Sequence, residues 1–296
     1  MLWPLLDPRS ARLYVLIARK AKRAVVFRRG PAKQTLVLTW DLASDTLTEG
    51  QWLKGRIYER RSDLSPDGEL LLYAALKGGS ELYTYTAASR PPYLTALALW
   101  TDAGMWGGGH FGSDWRSIQL NQFAIGPAAK DKDAGAISPK LRVSLLPHVS
   151  DLEMSLKRLA REGWEIQRGE RSKLPRTDRY SEIFDPPIVQ TKVLRRGLKL
   201  VVEMHATQEA NGRPYVETAS VKGEDGATRL DLGRVDWTDV DHRGDILIAS
   251  NGCLRRLKLS ALGDAPGSEA NTMLIADLNS LRFRPLQTPA RALRWP

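Results

Sequence analysis

Short apolar runs separated by turn residues dominate the chain. The runs are rich in Val, Ile, Leu and Tyr, and this composition is typical of β-strands. Examples are Leu13–Ala18, Ala24–Phe27, Thr35–Trp40, Leu70–Leu76, Leu94–Trp100, Leu198–Met204, Ile246–Ala249 and Met273–Leu278. Glycine-containing turns such as Pro66-Asp67-Gly68 lie between them, where glycine supplies the positive φ of a hairpin. Strands this close together leave no room for helical crossovers, so the pattern predicts an antiparallel all-β fold.

One segment departs from the strand pattern. Ser150-Asp151-Leu152-Glu153 is a capping box, whose first and last side chains can each satisfy an unpaired amide at a helix start. Leucines follow at helical spacing and Gly163 can end the helix, so we predict a helix near 151–162. The surrounding stretch, 126–187, is rich in charge and proline and too poor in apolar residues for its own core. We interpret it as an insertion or decorated connection within a single domain of residues 1–296.

A hairpin motif occurs twice. Asp63–Leu72 and Asp239–Ile248 both consist of an acid, an apolar residue, a small polar residue, two turn residues, Gly, an acid and an apolar strand. The copies are 176 residues apart, whereas Trp40 and Trp100, which each close an apolar strand, are 60 apart. Three units of about 59 residues match the first spacing and five match the 296-residue chain. The spacings favour five repeated units.

The first copy of the motif carries a family resemblance. Ser65-Pro66-Asp67-Gly68-Glu69-Leu70-Leu71-Leu72-Tyr73 resembles the blade hairpin of β-propeller repeats of the WD40 and TolB type. Proline and glycine set the turn geometry, so the motif itself indicates no ligand. The resemblance implies a β-propeller, and the spacing predicts five blades of antiparallel strands with one helix-containing insertion. Residues 280–296, around Leu281–Leu286, could supply a strand that closes the first blade.

Proteins of this resemblance class act mainly by presenting rigid end faces to other macromolecules. By analogy of fold, the resemblance implies a non-catalytic protein-interaction scaffold or a subunit of a larger assembly. On this basis the resemblance implies another protein as the partner.

Charge adds a candidate surface. The chain has 44 Lys and Arg against 34 Asp and Glu, a net charge of +10. Residues 9–33 and the last sixteen residues are rich in cations and contain no acid. If the termini meet, they would form a basic surface that attracts nucleic acid, anionic lipid or an acidic partner, or a solvated face that keeps the protein soluble. The residues expected on this surface are Arg19, Lys20, Lys22, Arg23, Arg28, Arg29, Arg282 and Arg284.

A second candidate surface precedes the first hairpin motif. Its interaction candidates are Trp52, Lys54, Arg56, Tyr58, Arg60 and Arg61. Trp, Tyr and Arg anchor protein interfaces, and interleaved rings and cations also suit single-stranded nucleic acid. Alternatively, Trp52 and Tyr58 pack between blades while the charges pair with acids. A nucleic-acid-associated module is therefore the alternative function.

Two loops imitate ligand-binding motifs. Gly107–Gly112 matches G-x-G-x-x-G, but the alternation after it predicts a strand where a dinucleotide site needs a helix. Trp106 and His110 beside it could still form a small ligand surface. Asp239–Gly244 begins like a calcium loop, but Arg243 occupies a ligand position. The four histidines have no zinc-type spacing, so we expect neither a metal nor a cofactor.

Catalytic motifs do not emerge from the sequence. It contains no H-E-x-x-H and no G-x-S-x-G. Four carboxylates are expected near the ends of inner strands, where five-bladed glycosidases place their acid pair. They are Asp63, Asp114, Asp236 and Asp239. A glycan-binding or glycan-cleaving propeller is therefore the second alternative function.

Cysteine content and hydropathy suggest a compartment. Cys253 is the single cysteine, which suits a reducing environment. The apolar start, Met1–Leu6, is too short for a signal-peptide core, and no window approaches the roughly 18 apolar residues of a membrane span. We expect a cytoplasmic protein without a membrane span.

Overall fold

The computed structural model describes residues 6–30, 33–76, 84–101, 107–172, 181–208, 214–262 and 272–296. Across these ranges twenty strands form five sheets, accompanied by one α-helix. The predicted all-β class with a single helix is confirmed. Spatial contacts between residues divide the chain into two compact units. One consists of residues 1–13 and 159–280, and the other of residues 14–158 and 281–296.

The unit of residues 14–158 and 281–296 contains three sheets. The first is formed by β1 (Arg12–Ile17), β2 (Arg23–Arg29), β3 (Thr35–Asp41) and β4 (Thr46–Leu53). The second is formed by β5 (Arg56–Leu64), β6 (Leu71–Leu76), β7 (Thr84–Ser89) and β8 (Ala98–Trp100). The third is formed by β9 (Gly109–Phe111), β10 (Ser117–Leu120) and β11 (Arg142–Leu145). Neighbouring strands in the first two sheets are consecutive in sequence. The pairs from β2 to β4 and from β5 to β8 are antiparallel, whereas β10 and β11 are parallel.

The unit of residues 1–13 and 159–280 contains two sheets. The fourth sheet is formed by β12 (Glu165–Gln167), β13 (Ile183–Val193), β14 (Lys199–Gln208), β15 (Pro214–Lys222) and β16 (Thr228–Val235). The fifth is formed by β17 (Trp237–Val240), β18 (Ile246–Ser250), β19 (Cys253–Leu257) and β20 (Met273–Asp277). Every pairing in these sheets is antiparallel. Asp7 and Ala11 donate their amides to the side chains of Asn251 and Asn279, which fastens the chain start to the fifth sheet.

The two copies of the hairpin motif occupy matching positions. Asp63–Leu72 connects β5 to β6 and Asp239–Ile248 connects β17 to β18, so each joins the first two strands of its sheet. Gly68 has φ of 75° and Gly244 has φ of 85°, and each glycine donates its amide to the carbonyl three residues earlier. The sequence motif therefore marks a repeated turn geometry.

The tryptophan spacing does not measure a repeat. Trp40 lies on β3, the third strand of its sheet, whereas Trp100 ends β8, the fourth strand of the next. Both rings are buried. The 60-residue distance therefore joins two core positions that are not equivalent in their sheets.

The predicted helix is present as α1 (Asp151–Arg161). The Ser150 hydroxyl accepts the Glu153 amide at 3.3 Å, and Gly163 follows the helix with φ of 86°. The stretch 126–187 also contains β11, β12 and the start of β13, which pair into the third and fourth sheets. It therefore contributes strands to two sheets, and its interpretation as an insertion or decorated connection stays a prediction.

The C-terminal tail, residues 281–296, contains no strand, and the first sheet has four strands without it. Pro285 and Pro289 remove amides that a strand would need, which accounts for the missing strand at Leu281–Leu286. The tail crosses the edge of the first sheet through side chains: Gln51 Nε2 donates to the Leu286 carbonyl and to Thr288 Oγ1, each at 2.8 Å.

The far end of the tail is also anchored in its unit. The ring centroids of Trp115 and Trp295 are 5.8 Å apart in a stacked arrangement. The Gly135 amide donates to the Leu293 carbonyl at 2.8 Å, and Ala292 is buried. No described helix has the length and apolar character needed to cross a membrane.

Candidate binding surface

One edge of the first sheet places aromatic rings beside cations. Arg28, Leu36 and Trp52 lie opposite one another across β2, β3 and β4, so their side chains share a face of the sheet. The Arg28 guanidinium carbon lies 5.5 Å from the Trp52 ring centroid. Phe283 of the tail adds a second ring, 6.1 Å from that of Trp52, and Lys54 Nζ lies 4.8 Å from the Phe283 centroid.

We name this group the β4–tail patch; its members are Arg28, Trp52, Lys54, Arg282, Phe283 and Arg284. Lys54 is exposed, Phe283 is 37% exposed and Trp52 is half-buried. Burial, and then the nearby charge of Arg282, lower the pKa of the Arg28 guanidinium. Arginine nonetheless stays protonated at neutral pH, so the patch combines open aromatic surface with positive charge.

Acids interrupt the charge around the patch. Arg284 Nη2 lies 3.0 Å from Glu49 Oε2, and Arg29 Nη1 lies 4.0 Å from Glu59 Oε2. Glu49 stands on β4 beside the patch, and Glu59 on β5 is buried. The patch is therefore a small mixed surface and not the start of a continuous basic track.

The remaining candidates of the 51–61 segment lie against α1 or against one another. The Tyr58 ring lies between the guanidinium carbons of Arg56 and Arg61, each 4.4 Å from its centroid. Arg61 Nε also pairs with Asp151 of α1, and buried Arg60 donates to the Ser155 hydroxyl at 3.4 Å. Arg60 and Arg61 therefore hold α1 to β5, and their part in an interaction surface stays a prediction.

A buried arginine of α1 completes this contact. Arg158 donates to the Ser62 carbonyl at 2.7 Å, to the Glu59 carbonyl at 3.4 Å and to the Tyr14 hydroxyl. It is 1% exposed, and the Tyr14 ring centroid lies 5.4 Å from its guanidinium carbon. Sequence reasoning missed Arg158, because a charged residue on a predicted amphipathic helix is normally assigned to the solvent face.

The basic residues expected on one surface occupy the two ends of β2. Arg19 and Lys20, in the β1–β2 turn, donate to the carbonyls of Gly112 and Ser113, and the Arg23 side chain pairs with Glu69. Lys22 lies in the same turn. Arg28 and Arg29 are at the opposite end of the strand, where Arg282 influences Arg28. The length of β2 therefore separates the two groups of cations that were predicted to form a single basic surface.

The glycine-rich loop packs closely against the backbone of neighbouring segments. The strand predicted after it is present as β10. A Cβ on Gly108 would lie 2.3 Å from the Arg61 carbonyl oxygen, and one on Gly109 would lie 2.2 Å from that of Gln119. His110 is buried on β9 and Trp106 lies outside the described residues, so the small ligand surface expected of these two residues stays a prediction.

The candidate carboxylates serve backbone and lysine partners. Asp63 accepts the amides of Leu64 at 3.0 Å and Phe111 at 2.7 Å, which links β5 to β9. Asp239 accepts the amide of Val240 at 2.7 Å and Lys192 Nζ at 2.6 Å. Both buried acids therefore have structural partners within the protein.

The other acids also have partners within the protein. Asp114 accepts the amides of Arg116 and Ser117. Asp236 is engaged within the protein too. Asp241, in the loop that imitates a calcium site, accepts the Arg243 and Asp245 amides and Arg256 Nη1. Within the described ranges, no three or more His, Cys, Asp or Glu side chains gather as a metal site would require.

Comparisons with known proteins place the chain in no family. No family model and no curated protein matches it. Among solved structures, it is similar to the crystal structure of an uncharacterized protein from Listeria monocytogenes EGD-e, with a TM-score of 0.30 and 9% identity over 90% of this chain and 83% of that one. Overlap at this level does not establish a shared fold.

Proposed function

We propose that the chain is a five-bladed β-propeller that acts as a non-catalytic protein-interaction scaffold, with the β4–tail patch as its contact surface. The number of sheets and the recurrence of one hairpin geometry in two of them support the propeller. In this proposal each sheet is a blade. An experimental structure in which the five sheets do not surround a common axis would refute it.

The observation that carries the binding proposal is the exposed Phe283 ring of the patch, which lies beside the half-buried Trp52 ring. Phe283 and the nearby Leu286 are 37% and 38% exposed, and Lys54 lies over the Phe283 ring. Aromatic and arginine side chains that are exposed in a free protein are the usual energetic anchors of an interface. The fitting partner is a protein segment that carries an apolar side chain for the rings and a carboxylate for the cations.

Nucleic acid fits the same patch less well. A strand of phosphates needs a continuous positive track, whereas Glu49 and Glu59 pair with Arg284 and Arg29 beside the patch. Protein partners tolerate such mixed charge because the acids can meet cations of the partner. The charge pattern therefore favours a protein, and the experiment below separates the two classes.

We expect Lys54→Glu and Phe283→Ala each to weaken binding of the partner by about tenfold, the loss typical of one anchoring side chain. The tagged full chain is used to capture partners with and without nuclease, and dissociation constants are then measured with the purified partner. Matched controls are Lys140→Glu, another exposed lysine, and Phe123→Ala, a ring that is 74% exposed. Both controls should leave the affinity unchanged.

Two outcomes would overturn this assignment. Equal losses in the patch variants and the controls would show that the partner binds elsewhere. Capture that disappears after nuclease treatment, together with a steep decrease in affinity as salt increases, would assign the patch to nucleic acid instead.

A further inference from the structure

The first sheet has a polar cleft at the end of β4 opposite Trp52. The cleft has a volume of about 470 Å³ and is lined by β2, β3, β4, the turn at Gly68–Glu69, the segment Pro91–Tyr93 and the tail at Arg291. This volume lies within the range of small-molecule sites, about 300 to 1,000 Å³. It is separate from the β4–tail patch, although Gly68 and Glu69 of its lining belong to the first copy of the hairpin motif.

Three arginines face this cleft. Arg23 and Arg90 both pair with Glu69, and Arg291 is contributed by the tail. The guanidinium group has five donors, so an ion pair with one shared carboxylate leaves donors for a ligand. With Glu69 and Asp41 as the acids, the charged lining carries a net charge of +1.

The second acid of the lining is occupied by its own turn. Asp41 Oδ1 accepts the Ala43 amide at 2.8 Å and the Ser44 amide at 3.2 Å. These backbone hydrogen bonds lower the pKa of the Asp41 carboxyl, the Ala43 amide having the largest effect. The carboxylate is thus already bonded on one oxygen and is part of the wall, while the arginines provide the charge that a ligand would meet.

Four hydroxyl side chains are among the residues that line the cleft. Thr39 and Thr48 lie opposite each other on β3 and β4, and the hydroxyls of Ser44 and Thr46 are 3.0 Å apart. Hydroxyls both donate and accept hydrogen bonds, so this wall complements a ligand that is itself rich in hydroxyls. A row of hydroxyls faced by guanidinium groups suits a ligand with two kinds of polar group.

We propose that this cleft binds a small, hydroxyl-rich ligand that carries an oxyanion, namely an acidic or phosphorylated sugar. The arginines bind the carboxylate or phosphate, because charge-assisted bonds from guanidinium to oxyanions are strong and directional. The threonine and serine hydroxyls bind the ring hydroxyls. The site is independent of the protein-binding patch, so either proposal can fail without the other.

The test titrates the full chain with D-glucuronate, glucose 6-phosphate, glucose and inorganic phosphate, followed by NMR of the backbone amides. We expect glucuronate or glucose 6-phosphate to bind at least tenfold more tightly than glucose and to shift amides of β3 and β4. A preference between the two anionic sugars identifies carboxylate or phosphate as the bound group.

A variant pair on the tail locates the site. Arg291→Gln should weaken binding of the preferred sugar by about tenfold, because it removes one charged donor. Arg294→Gln is the control, since Arg294 is exposed on the same tail and does not line the cleft. Neither variant removes a buried side chain, so both should fold like the unmodified protein.

Three results would each refute the inference: no saturable binding of either acidic sugar up to about 10 mM, inorganic phosphate binding as tightly as the preferred acidic sugar, or equal losses in the Arg291 and Arg294 variants. The second result would exclude recognition of the sugar hydroxyls. The third would place binding outside the cleft.

Discussion

Replacement of Arg158 by alanine is expected to lower the free energy of unfolding of its unit by about 3–5 kcal/mol. The guanidinium is 1% exposed and donates to Ser62, Glu59 and Tyr14. Its removal leaves two buried carbonyls and a hydroxyl with fewer donors, together with a cavity between α1 and β5. Urea unfolding followed by tryptophan fluorescence measures the loss.

The matched control for this variant lies one residue away. Lys157 is exposed on the same helix, so Lys157→Ala tests a loss of charge and length without a loss of buried contacts. Its effect should remain within about 0.5 kcal/mol. If the two variants unfold at the same urea concentration, Arg158 does not hold α1 in place and the description of this contact is wrong.

Removal of residues 281–296 is expected to lower the free energy of unfolding of the same unit by about 4 kcal/mol. The lost interactions include the bonds from Gln51 to the tail, the Gly135 to Leu293 bond and the stacking of Trp295 on Trp115. In a unit of this size, the loss corresponds to a decrease in melting temperature of about 10 °C.

Calorimetry of the shortened and full-length chains measures this decrease. Arg294→Ala, which changes an exposed tail residue, should shift the melting temperature by no more than about 1 °C. An unchanged melting temperature in the shortened chain would show that the tail contacts contribute nothing. The shortened chain should also fail to bind the partner of the β4–tail patch, because Arg282, Phe283 and Arg284 are then missing.

The sequence predicted those features that depend on neighbours along the chain. The turn at Gly68 and its counterpart at Gly244 need glycine because φ is positive there, so composition alone identifies them. The capping box at Ser150 identifies the start of α1 for the same reason, since both partners of the bond lie within one turn. The strand after the glycine-rich loop followed from alternation over a few residues.

The candidate surface was predicted only in part. Trp52 and Lys54 belong to a surface patch, whereas Arg60 and Arg61 are held against α1. All four belong to one short aromatic and basic segment, and no local pattern separates them. The difference arises because α1 and the tail contact opposite parts of this segment.

The amino-acid sequence by itself determined the all-β class, the single helix and the repeated hairpin, because each is encoded in backbone preferences a few residues apart. Tertiary structure decided which cations are buried, how the tail packs and where the polar cleft forms. Arg158 shows the reason: its partner Ser62 is 96 residues away in the chain. Whether a guanidinium meets water or buried carbonyls depends on which distant strand packs against it, and this information is absent from any local window of the sequence.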